Sequence, residues 1–228
     1  ARKAITKKTC AILVEPIQGE GGVNVPDPSY LKELKKLCQK NGALLIFDEV
    51  QSGFGRTGKL FAYELYKTKP DIMTMAKALG GGVAIGAMAA TNKAMKSFVP
   101  GTHAATFGGN PLACSAALAT LKVITGKNFL NKVSATGNYF SQRLQEIARK
   151  NPVVKEARGA GLFLALELNQ PGHEIVVDCM NQGFLINCIQ QNVLRFIPPL
   201  TISRKDIDSL VSVLSNSLTK LNDKQQTF

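Results

Sequence analysis

The run Ala43-Leu44-Leu45-Ile46-Phe47 is apolar at every position and stops on two carboxylates, Asp48 and Glu49. A short run of this kind, with no polar alternation, predicts a strand buried on both faces. Just upstream, Tyr30, Leu31, Leu34, Leu37 and Cys38 recur at helical spacing. Asp27-Pro28 supplies an N-cap with a first-turn proline, and Gly42 supplies the stop. Further upstream, Cys10 to Val14 is a second apolar run, followed by Glu15-Pro16 and a glycine loop. Strand, helix and strand in this order, with both strands apolar throughout, are the pattern of a parallel sheet in an α/β protein.

The reading extends downstream. Gln51 to Lys59 is a glycine-rich loop, Phe61 to Tyr66 a short helix, and Asp71 to Met75 a strand that delivers Lys77. Three glycines, Gly80 to Gly82, follow that lysine closely. Val83 to Thr91 reads as another strand, Gly101 to Pro111 as a loop, and Leu112 opens a long helix. Near Gly126 the composition changes. An amphipathic stretch with Phe129, Val133, Phe140, Leu144 and Ile147 comes first. Strands over Val153–Ala157 and Gly161–Leu168, a helix over Glu174–Asn181, strands over Leu185–Ile189 and Val193–Ile197, and a helix over Asp206–Leu221 then follow. The expectation is two domains: residues 1–125 with the mostly parallel sheet, and residues 126–228 as a smaller α+β domain.

Bulk properties narrow the function classes. The chain has 228 residues, 45% hydrophobic and 19% charged, as in ordinary globular proteins. No apolar run is long enough for a membrane-spanning helix, so no membrane role is expected. The first residues lack an initiator Met and the apolar core of a secretory signal, and read as the interior of a longer protein. Five scattered cysteines without a C-x-x-C pair suggest a reducing compartment, and two isolated histidines point to no metal site. The net charge of +12 is spread along the chain without a nucleic-acid-binding signature, so nucleic acid is not an expected partner. Basicity of this kind suits an enzyme of the mitochondrial matrix, with the cytoplasm as the alternative.

The chemistry centres on the carboxyl ends of the strands, where an open α/β sheet keeps its ligands. Glu15 with Glu20, Asp48 with Gln51, and Lys77 all fall there. Burial in an apolar run would lower the pKa of Lys77 and suit it to attack a carbonyl and form a Schiff base. A lysine joined with a carboxylate suits pyridoxal phosphate (PLP), whose aldehyde the amine holds and whose protonated ring nitrogen the acid pairs, Asp48 being the better candidate. A nucleotide-hydrolase reading competes, because Gly53 to Lys59 imitates a phosphate-binding loop. It fails because Leu60 stands where a Ser or Thr hydroxyl is needed, and because the loop follows the Asp-Glu strand instead of preceding it.

Five ordered stretches carry a family resemblance: Glu15 to Gly22, Asp48 to Gly58, Asp71 to Gly86, Thr106 to Pro111 and Leu194 to Pro199. Together they resemble the class III (ornithine-type) PLP-dependent aminotransferases, with Ala84 standing where the family usually has proline. The segments around Gly53–Ala62 and Thr106–Cys114 are most similar to the branch acting on acetylornithine. The ornithine branch is next, and the 4-aminobutyrate branch fits less well.

The resemblance implies a fold-type I PLP-transferase, comprising the second half of its large domain and the small C-terminal domain. It also implies roles. Lys77 would hold PLP and shuttle a proton, Asp48 would pair with the pyridine nitrogen, Val50 would pack on the ring, and Gln51 would bond the phenolic oxygen. Thr106 would reach the cofactor phosphate of a partner subunit, implying a homodimer. Arg195 would hold a substrate carboxylate, that of 2-oxoglutarate included, and Glu20 would pair with Arg195 when a terminal amino group is presented. Glu15 would support the site from behind, and Arg158 is read as structural. Intact Lys77, Asp48 and Arg195 argue against a purely structural subunit. The family's phosphate-binding turn and ring-stacking aromatic lie upstream of the stretches matched, so residues 1–228 alone are expected to bind PLP poorly and turn over little.

Overall fold

In the computed structural model, which describes residues 1–226 and side chains to residue 223, β1 (Ala11–Val14), β2 (Leu44–Asp48) and β3 (Ile72–Met75) run parallel. β4 (Ala87–Ala90) closes the sheet antiparallel to β3, with Ile72 opposite Ala90 and Met75 opposite Ala87. The direction follows from the link: residues 76–86 are too few for the crossover that a parallel return needs. The strand expected over Val83–Thr91 is accordingly short.

Between β1 and β2 lies α1 (Tyr30–Asn41). The cap is Ser29, two residues later than the expected Asp27, and Pro28 lies before the helix. Asp27 Oδ1 instead accepts from the amide and hydroxyl of Ser29, at 2.8 and 2.6 Å, in a turn that leads into the helix. Gly42 ends it with φ +67, a conformation only glycine adopts freely. Leu31, Leu34 and Cys38 pack with Ala43, Leu45 and Phe47 into one buried cluster. Leu44 and Ile46, on the other side of β2, are half-buried. Full burial of both faces was expected, but among the described residues only the α1 side of this strand is sealed. The helix expected over Phe61–Tyr66 is a single 3-10 turn, Ala62–Glu64. After a short α2 (Asn92–Met95), α3 (Pro111–Ile124) starts at Asn110, whose Oδ1 accepts from the Ala113 amide at 2.9 Å.

The chain divides into two compact units. The first comprises Ala1–Ile17, Pro26–Gly55 and Lys59–Leu130; the second comprises Gln18–Val25, Arg56–Gly58 and the chain from Asn131 on. The sequence division was drawn at one point near residue 125. The structure instead hands two earlier loop segments to the second unit.

Most of α4 (Phe129–Lys150) belongs to that second unit. Its sheet has the order β5 (Val154–Ala160), β6 (Phe163–Leu168), β8 (Val193–Phe196), β7 (Asn187–Ile189), with every pairing antiparallel. α5 (His173–Asn181) packs with α6 (Arg204–Gln226). β6 and β8 form the heart of the core, and the Phe140 ring of α4 meets Phe196 edge-on at 5.5 Å between centroids. Gly137, Gly161 and Thr57 bring three stretches of backbone together: a Cβ at Gly137 would lie 2.4 Å from the Gly161 carbonyl carbon, and one at Gly161 would lie 2.4 Å from that of Thr57.

Candidate active site

In the first unit, the parallel arrangement of β1, β2 and β3 puts their carboxyl ends on one edge. Glu15 follows β1, Asp48 ends β2, and Lys77 stands two residues beyond β3. Asp48 is level with Thr74, and its Oδ1 accepts from the Val50 amide at 2.9 Å. That bond ties the carboxylate to the turn that follows the strand. Val50 and Gln51 follow, both half-buried.

Lys77 opens a 3-10 turn, Lys77–Gly80, with φ +46, a conformation that costs a non-glycine residue about 1 kcal/mol. Gly81 closes the turn at φ +58. A Cβ there would come within 2.5 Å of Thr120 Oγ1, so a side chain at this left-handed position would also have to displace that hydroxyl. The buried residues of the turn are Leu79 and Gly80, and Lys77 itself is exposed. Burial in the apolar run, expected from sequence, is not realised in this chain, because the lysine lies past the strand and not within it. Thr106 is exposed on the loop before α3, next to Phe107.

Glu49 is a residue the sequence reading passed over. Fully buried, its carboxylate accepts from Ser52 Oγ at 2.6 Å, the Ala62 amide at 2.9 Å and the Tyr63 amide at 2.8 Å. Burial pushes its pKa up, and these donors pull against that shift. It staples the loop after β2 to the 3-10 turn. The signal was present: Asp48 and Glu49 are adjacent at a strand end, where neighbouring side chains take opposite sides.

In the second unit, Arg195 sits in the middle of β8, level with Ala165 of β6 and Asn187 of β7. It is 6% exposed, and its NH1 donates to Glu20 Oε1 at 2.7 Å, while its Nε donates to Asn187 Oδ1 at 3.3 Å. The Glu20 side chain is 65% exposed. Two residues 175 apart in sequence are thus joined in one ion pair. Glu20 is carried by a loop closed by the Gln18 amide on Asn24 O at 3.1 Å and by Asn24 Nδ2 on Gln18 Oε1 at 2.8 Å. Arg56, unassigned from sequence, donates through NH1 to Pro198 O at 2.6 Å and Leu162 O at 3.2 Å, and so holds the segment that leaves β8. Burial lowers its pKa to about 10, so it stays cationic at neutral pH. A cavity of about 430 Å³ opens beside Arg195 and Asn187, walled by Phe140, Phe184, Leu185 and Pro198.

The second unit therefore offers a buried guanidinium beside apolar walls, with an exposed carboxylate as its counter-charge. The first offers a primary amine and a carboxylate at the ends of adjacent strands. The profile described as aminotransferase class-III matches residues 1–218. The chain is 49% identical over 220 residues to the acetylornithine aminotransferase of Methanocaldococcus jannaschii, covering 96% of this chain and 55% of that protein. It is 44% identical over 218 residues to the ornithine aminotransferase of Oceanobacillus iheyensis, covering 95% of this chain and 54% of that protein. The solved ornithine aminotransferase of Toxoplasma gondii, described as having partial occupancy of PLP at its active site, is similar with a TM-score of 0.89. There the identity is 38%, over 95% of this chain and 52% of that one. The chain spans about half the length of the curated relatives it matches. A profile match over nearly all of its residues, relatives at close to half identity and a shared fold lead to one conclusion: the chain belongs to the class-III aminotransferase family.

Proposed function

We propose that the whole protein uses PLP to move the terminal amino group of N2-acetylornithine to 2-oxoglutarate, giving N-acetylglutamate 5-semialdehyde and glutamate, a step of arginine biosynthesis. The observation that carries this reading is the pair of buried Arg195 and exposed Glu20 at 2.7 Å. A guanidinium presents two parallel donors to a carboxylate, which suits Arg195 to 2-oxoglutarate and glutamate. A terminal amine has no carboxylate on its own carbon, so an uncovered Arg195 would draw such a donor in by the wrong end. Glu20 covers that charge, and its exposure leaves it room to swing away when the oxo acid arrives.

The donor set of the first unit fits PLP: an amine for the aldehyde and a carboxylate, oriented by the Val50 amide, for the ring nitrogen. Lys77 and Asp48 would fill those roles, Val50 would lie against the ring, and Gln51 would bond the phenolic oxygen. When bound, PLP supplies an electron sink for the pair left as the substrate C–H bond breaks. Lys77 Nζ takes up that proton and returns it. Asp48 would hold the ring-nitrogen proton in place. Thr106 would serve the cofactor phosphate of a second copy, making a homodimer, and the exposure of Thr106 and Phe107 supports this.

A second reading takes free ornithine as donor, and the similarity to the Oceanobacillus and Toxoplasma proteins favours it. A panel of N-acetylornithine, ornithine and 4-aminobutyrate on the cofactor-loaded protein separates the two. N-acetylornithine is expected to give the highest kcat/KM, and equal activity on ornithine would sink the first reading.

A further inference from the structure

Arg158 of β5, Ala165 of β6, Arg195 of β8 and Asn187 of β7 are register partners, forming one row across the sheet of the second unit. Residues directly opposite in such a row share a face, so two arginines stand on one side with only an alanine between them. Both hold the Gln18–Val25 loop. Arg195 takes the Glu20 carboxylate, while Arg158 takes the main chain two residues on, donating to Gly22 O from Nε at 3.0 Å and from NH2 at 2.7 Å. The remaining nitrogen of Arg158, NH1, is paired with Glu156 and Glu167. Its charge is therefore met by its own strand and the next one, and it does not compete with Arg195 for Glu20. Gly22 has φ +123, and a Cβ on it would sit 3.3 Å from Arg158 NH2, so the hooked conformation calls for glycine. Gln190 Nε2 holds the Glu20 carbonyl as well, at 3.1 Å. The main chain is thus fastened at Glu20 and at Gly22, whereas the Glu20 side chain lies largely in solvent.

We propose that Arg158 is a positioning residue for donor selection: by fastening the Gly22 carbonyl it lets Glu20 swing as a side chain on a fixed loop. This rests on the reading of the Glu20–Arg195 pair given above. Arg158, placed by the sequence among structural residues, would then act through Glu20.

The test uses the cofactor-loaded protein and two readouts. One is hydrogen exchange of residues 18–25 without substrate, and the other is the ratio of kcat/KM for N-acetylornithine to that for glutamate. R158M is expected to speed exchange in that loop and to lower the ratio by about 10-fold through a higher KM for N-acetylornithine. R158K keeps a cation against Glu156 and Glu167 but offers the carbonyl a single point of contact. It should fall between wild type and R158M, and it carries the test should R158M not fold. E20Q removes the charge while the loop stays fastened, so it should lower the ratio without faster exchange. Unchanged exchange at residues 18–25 in the Arg158 variants, or an equal loss for both donors, overturns the proposal. An unchanged ratio in E20Q sinks the pair as donor selector, which is a failure of the proposed function; the exchange readout still decides whether Arg158 holds the loop.

Discussion

The two units keep their polar chemistry in opposite places. In the first, Asp48 is the last residue of β2 and Lys77 lies past the end of β3, exposed, in a tight turn. In the second, Arg195 is buried in mid-strand, between the backbones of β6 and β7. A strand end has side chains that the core does not need, so reactive groups placed there can be changed with little effect on packing. A cation in mid-strand must be compensated wherever it points, because an unpaired buried charge costs several kcal/mol. Glu20 and Asn187 meet that need at Arg195, and at Arg56, half-buried on a loop instead of a strand, the Leu162 and Pro198 carbonyls do the same. Function and stability are therefore separable in the first unit and entangled in the second.

The sharpest way to break this contrast is at Lys77. Lys77→Ala should lower kcat by about 10⁴-fold or more and abolish the visible absorbance of bound cofactor. Thermal unfolding should stay within about 0.5 kcal/mol of wild type. Global destabilisation by that substitution would mean the strand-end lysine is part of the scaffold after all.

Gly161→Ala probes the entangled side. Its Cβ would lie 2.4 Å from the Thr57 carbonyl carbon and 2.8 Å from Arg56 O, on a residue at φ +58. The expected loss is about 3 kcal/mol, seen as a lower Tm by calorimetry, because backbone cannot move aside as a flexible side chain can. An unperturbed Tm would show that the second unit is looser than its glycines imply.

The smallest expected effect is a pH dependence in the first unit. Asp71 accepts from the Leu45 amide at 2.8 Å and from Lys35 Nζ at 2.7 Å. Burial pushes its carboxyl up, but the amide and the lysine outweigh burial, and its pKa is lowered from 3.8. With the folded value below the unfolded one, its stabilisation is fully present above 3.8 and is lost as pH falls through the folded value. Asp71→Asn should cost about 1 kcal/mol at neutral pH in urea unfolding and almost nothing near pH 2. A constant difference across that range would rule out the carboxylate as its source.

Much of the local architecture could be read before any coordinates. The turn at Asp27, the Gly42 stop and the apolar run of β2 are each encoded within a few residues, where spacing alone distinguishes helix from strand. Four features escaped that reading: the antiparallel β4, the buried Glu49, the exposure of Lys77, and the hooks from Arg158 and Arg56. The first and third follow from the short link after β3 and from where that strand stops, while the hooks depend on what a distant segment supplies. The Arg158 bonds to Gly22 span 136 residues and the Arg56 bond to Pro198 spans 142.

By itself, the sequence determined the alternation of strands and helices, the glycines where the chain must turn, and the polar residues left at strand ends, because these follow from side-chain periodicity and backbone freedom. Tertiary structure decided which charges meet. Arg195 with Glu20, Arg158 with Gly22 O and Glu49 with the amides of Ala62 and Tyr63 exist only once the loops have been brought onto their partners. The position of a hydrogen-bond donor is fixed to tenths of an ångström by the whole fold, and no local pattern carries that information.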